Sequence, residues 1–129
     1  MTVAYRQSVQ AVAGKSTTSG TLQNRYLLIE PAEVQTFNDY KELVNMRFLI
    51  PNGSTDMLIC TGTVSTAKLM IIMPELQNLD IKIVNANGTS QNLTFLADRR
   101  SILHTLVTGI FATNLSGADI EGDLTLLGD

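Results

Sequence analysis

The chain of 129 residues has room for one domain of ordinary size. Apolar residues make up 44% and charged residues 16%, with 15 Thr and 9 Asn filling the polar share. This is not the composition of a disordered chain, which couples low hydrophobicity to high net charge. One cysteine, Cys60, excludes an internal disulfide and a cysteine zinc site. The longest apolar run, Leu69 to Met73, is far too short for a helical membrane span of about 20 residues. A net charge of −3, with no basic cluster beyond Arg99-Arg100, argues against nucleic acid as a partner.

Residues 1–24 differ from the rest. They are rich in Ser, Thr, Gln, Ala and Gly, hold Arg6 and Lys15, and contain no acid. No apolar segment precedes Ala11-Val12-Ala13, which argues against a secretory signal. Val3 and Tyr5, then Val9 and Ala11, alternate weakly, and Gly14 to Gly20 reads as a loop. The expectation is an extended arm without a core of its own. Such an arm either stays untethered or adds a strand to a neighbour's sheet.

From Arg25 the signal is β. Arg25 to Ile29 is a short apolar run. Pro31, Glu33 and the spacing of Val34, Phe37 and Tyr40 predict one or two helical turns over 31–41. Val44, Met46, Phe48 and Ile50 then alternate with Asn45 and Arg47, the period of a half-buried strand. Pro51-Asn52-Gly53-Ser54 predicts a hairpin turn, with Asp56 to Thr63 as the returning strand. A second run, Ala67 to Met73, ends at Pro74.

The C-terminal half predicts a hairpin from Ile81–Asn85 and Asn92–Leu96, a long strand over Ser101–Ala112 or two broken at Gly109, and a last strand over Ile120–Leu127. Asn92 to Asp98 and Asp123 to Asp129 echo each other, each after an Asn-rich turn, which predicts two successive hairpins. The fold class is therefore all-β: an antiparallel β-sandwich or jelly roll of about eight strands. Residues 25–129 form this domain, behind an extended arm over residues 1–24.

Chemical motifs are weak. Ala13-Gly14-Lys15-Ser16-Thr17 ends like a phosphate-binding loop, yet Val9 stands where the first glycine belongs. His104, the only histidine, alternates with Ile102 and Leu106, and Cys60 sits between Ile59 and Thr61 in the expected strand. That pattern predicts a packed thiol rather than an activated one. Asp119, Glu121 and Asp123 alternate as calcium ligands can, but Gly122 stands where no EF-hand loop has its glycine. Three of the four Asn-x-Ser/Thr triplets read as turn chemistry. No cofactor, no metal and no enzymatic reaction is expected.

Charge placement is the strongest functional signal. Residues 1–24 carry +2 and residues 119–129 carry −4. Tyr5, Arg6 and Lys15 on the arm, with Asp119, Glu121 and Asp123 on the tail, are therefore the expected interface. An arm of one subunit would lie along an acidic edge of the next. In these features, a Thr/Asn-rich β-domain with a Ser/Thr/Gly-rich N-terminal arm, the chain resembles small structural proteins of tailed-bacteriophage virions, the capsid decoration or cement proteins. The resemblance implies a homo-oligomer, often a trimer, or a partner in the major capsid protein. It also implies residence in the virion after synthesis in the host cytoplasm, with no nucleic-acid or membrane partner. A tail adaptor, a fibre-base protein, or a carbohydrate- or receptor-binding module is the alternative. Few aromatics and no Trp count against sugar stacking.

Overall fold

The computed structural model describes residues 3–9, 12–16, 22–27 and 33–129. Among them run eleven strands: β1 (Val3–Val9), β2 (Val12–Ser16), β3 (Leu22–Leu27), β4 (Glu33–Tyr40), β5 (Glu42–Ile50), β6 (Ser54–Leu58), β7 (Ala67–Pro74), β8 (Leu79–Asn85), β9 (Ser90–Phe95), β10 (Ser101–Asn114) and β11 (Ile120–Gly128). The described chain is all-β. It divides into a smaller unit, Ala4–Asn38, and a larger one formed by Met1–Val3 with Asp39–Asp129.

In the smaller unit β1 pairs with β4, and β2 pairs antiparallel with β3. Residues 33–40 are thus a strand, not helical turns. Val34, Thr36, Phe37 and Tyr40 favour extended backbone, and one or two turns of helix are marginal without packing. Of the expected 1–24 arm, residues 1, 2, 10, 11 and 17–21 lie outside the described residues. So does the side chain of Lys15.

The larger unit is one antiparallel sheet of seven strands in the order β5-β11-β7-β10-β8-β9, with β6 also on β10. β10 is the pivot. Its first half pairs with β7, and its second half pairs with β8 on one side and β6 on the other. Register shifts at His104/Val107, Val107/Gly109 and Ala112/Asn114 supply the bends. The sheet thereby folds over itself as a sandwich. One layer holds β5, β11, β7 and the start of β10; the other holds the end of β10 with β6, β8 and β9.

Between the layers lies a continuous core. Phe48, Ile50, Met70, Ile72, Leu124 and Leu126 come from the first layer, and Leu79, Ile81, Ile83, Phe95, Ile110 and Ala112 from the second. Each set follows the two-residue period of its strand, because successive side chains point to opposite faces. Gly122 falls on the core face opposite Phe48 and Pro74. A Cβ there would strike the Met73 carbonyl oxygen and come within 2.5 Å of Phe48 Cζ and 2.9 Å of Pro74 Cα. Glycine is the only residue that lets these strands lie so close.

Two expected hairpins resolve differently. Asn52-Gly53 does turn, with Gly53 at φ +87°. The strand that follows, however, is only Ser54–Leu58, and it pairs with β10 in the other layer rather than with β5. The partner of β5 is β11, paired over nine residues from Ile120↔Ile50 to Gly128↔Glu42 without a shift. β11 does not fold back on β10 either; it inserts between β5 and β7. The Asn85–Ser90 hairpin is formed as expected, β8 pairing with β9. Cys60 lies outside any strand and is exposed, so the expectation of a packed thiol in a strand is corrected.

Candidate interaction face

The first layer presents its second face outward, and the register sorts that face into cross-strand rows. Arg47, Asp123 and Met73 share one row across β5, β11 and β7. Asn45, Thr125, Ile71 and Ile102 share the next. Leu43, Leu127, Leu69 and His104 share the third, where Leu69 and Leu127 are buried although they stand apart from the core cluster.

Arg47 organises the first row. Its guanidinium binds Glu75 as a fork, Nη1 donating to Oε1 at 2.9 Å and Nη2 to Oε2 at 2.6 Å. The same two nitrogens donate to Asp123 Oδ1 at 3.3 Å and Glu121 Oε2 at 3.2 Å. The fork geometry matches a planar carboxylate in a way that a lysine could not. The hydrogen bonds to Glu75 and then Glu121 push the Arg47 pKa up, with weaker help from Asp123. The hydrogen bond from Arg47 holds the Glu75 carboxyl below its usual range despite some desolvation. Three carboxylates on one guanidinium leave local acidity uncancelled. Beside this group lies a cavity of about 420 Å³, walled by Asn45, Arg100, Asp123 and Thr125 and floored by half-buried Ile71 and Met73.

The loop after β7 continues this surface. The Glu75 amide donates to the Glu121 carbonyl at 2.8 Å, and the Gln77 amide donates back to the Glu75 carbonyl at 2.8 Å. That two-residue bond makes Leu76 the apex of a γ-turn with φ +67°, the strained member of its class. The Leu76 amide is held by Asp98 Oδ1 at 3.2 Å, and the Asp98 amide by the Pro74 carbonyl at 2.7 Å. Leu76 itself is 87% exposed.

The expected interface residues fall in different settings. Tyr5 is half-buried and Arg6 exposed on β1, and the Tyr5 hydroxyl donates to Gln7 Oε1 at 3.5 Å. Glu121 and Asp123 do share an exposed strand face, and the cation beside them is Arg47 of their own chain. Their strand is no free edge, because β11 has neighbours on both sides. Asp119 precedes that strand and serves the fold. Its Oδ1 accepts the Asn52 amide at 2.9 Å, tying the 51–54 turn to the 114–119 turn. The carboxylates therefore do not form a calcium cradle together, and no group of three or more His, Cys, Asp or Glu among the described residues is placed to hold a metal.

The turn chemistry of the Asn-x-Ser/Thr triplets is visible in two matching motifs. Asn87 Oδ1 accepts both the amide and the hydroxyl of Thr89, and Asn114 Oδ1 accepts both from Ser116. Sequence reasoning missed Arg47, Glu75, Leu76 and Arg100. The outward alternation of Asn45 and Arg47 on β5 was the one available signal; the rest of the group meets only through the β5–β11–β7 register. No family model matches the chain, and neither a curated protein nor a solved structure matches it.

Proposed function

We propose that the chain is a structural protein of a tailed-phage virion, of the capsid decoration kind, acting by adhesion to its own copies or to the major capsid protein. The observation that carries this reading is the division of the chain. Among the described residues the unit Ala4–Asn38 contains only two two-stranded ladders, β1–β4 and β2–β3. A two-stranded ladder is at best marginally stable alone in water, because it buries too little apolar surface. Docking on a neighbouring subunit supplies the missing burial, and the surplus of Arg6 and Lys15 without acids in residues 1–24 suits an acidic neighbour. The composition and the sandwich support the same reading.

The test is co-sedimentation of the full chain with phage shells stripped of decoration. The expected result is saturable binding that the Arg6→Glu/Lys15→Glu double variant weakens by about tenfold, mainly at low salt. A full chain that stays monomeric and leaves the shells unbound overturns the reading.

A further inference from the structure

The Leu76 turn is built for display. A leucine at positive φ is costly, because its Cβ crowds the backbone, and nothing about a solvated loop tip requires leucine. Here the conformation is fixed from four directions: the Glu75 amide on Glu121, the Glu75 carboxylate on Arg47, the Leu76 amide on Asp98, and the Asp98 amide on Pro74. Asp98 is itself at φ +58°. An exposed apolar side chain on a backbone pinned in one conformation loses no backbone entropy when it enters a partner, which favours its use as a binding anchor.

The socket lies on the same surface. Asp123 walls the 420 Å³ cavity and also bonds Arg47, which holds Glu75, the residue before Leu76. The cavity sets the half-buried apolar Ile71 and Met73 among the polar Asn45, Arg100, Asp123 and Thr125, and its volume exceeds that of a leucine side chain. Charge fits as well. Arg100 on the wall forms no ion pair among the described residues, while Glu121 beside the knob engages Arg47 through Oε2 and is half exposed. Exposed Leu49 pairs across from Glu121, and exposed Ile102 pairs across from Ile71, so both knob and socket have apolar margins. A patch that carries a knob beside a cavity can meet a second copy of itself about a two-fold axis, which is the form of an isologous contact.

We propose that this face is a homodimer contact, in which Leu76 of each copy enters the Ile71/Met73 cavity of the other and Arg100 meets the partner copy's acidic rim. The proposal rests on the reading of the chain as an assembling protein, and it assigns the surface that reading leaves open. All the residues of this contact belong to the larger unit.

Sedimentation equilibrium of the full chain over a concentration series tests it. The expected species has twice the 14.0 kDa chain mass, or a larger even multiple. Leu76→Gly is the informative variant: it accepts the positive φ without strain, yet removes the knob and weakens dimerisation by about 100-fold. Arg100→Glu weakens it by about tenfold, and adding Glu121→Lys restores it. Unchanged association in Leu76→Gly overturns the proposal while leaving the adhesive reading intact. A wild-type chain that is monomeric throughout but binds shells also overturns it, whereas a monomer that binds no shell sinks both.

Discussion

The two faces of the β5–β11–β7 ladder come from the same strands in the same register and are built on opposite rules. The inner face, with Phe48, Ile72, Leu124 and Leu126, excludes water and tolerates no added atom at Gly122. The outer face, with Arg47, Asp123, Thr125 and Ile71, carries instead an ion group about half exposed, and the loop beside it an exposed leucine at positive φ. Burial makes the inner face dominate stability, since exposed ion pairs contribute little.

Gly122 marks the contrast most sharply. Gly122→Ala forces a methyl group into the Met73 and Pro74 backbone and should cost about 3 kcal/mol in urea unfolding, more than any single outer-face change. A Gly122→Ala protein of unchanged stability would mean that the inner face is looser than the strand spacing requires. Asn114 comes next. It is buried, and its Nδ2 donates to the Ile50 carbonyl at 2.9 Å and the Ala118 carbonyl at 2.8 Å. Asn114→Ala leaves those acceptors without the amide and should cost about 2 kcal/mol in the same measurement.

The smallest effect is on the outer face. Glu75 is held below its unfolded value, so its contribution is present above the unfolded carboxylate range and is lost as pH falls through the lowered folded value. Wild-type Tm should therefore drop slightly more than that of Arg47→Met between about pH 5 and pH 2. Parallel pH profiles for the two proteins would show the fork to be energetically silent.

Within this molecule, strand alternation was legible wherever one face is wet. β5 follows its alternation almost residue for residue, because period two and burial on one side leave little choice, and β7, β8 and β11 fall where the chain has apolar runs. The span 33–40 was misread because an apolar spacing of three in a short segment fits one helical turn as readily as a strand. Among the site residues, Glu121 and Asp123 were found by their alternation, while Arg47, Glu75 and Arg100 were not.

By itself, then, the order of amino acids determined the all-β class, most strand positions and the turns at Asn52-Gly53 and Asn87-Gly88, since these depend on local φ preferences and on which side chains avoid water. Tertiary structure alone decided that β11 lies between β5 and β7 and that β10 is shared between two layers. Strand partners are chosen by packing at long sequence separation, and no local pattern encodes a neighbour 76 residues away, which is how Arg47 reaches Asp123.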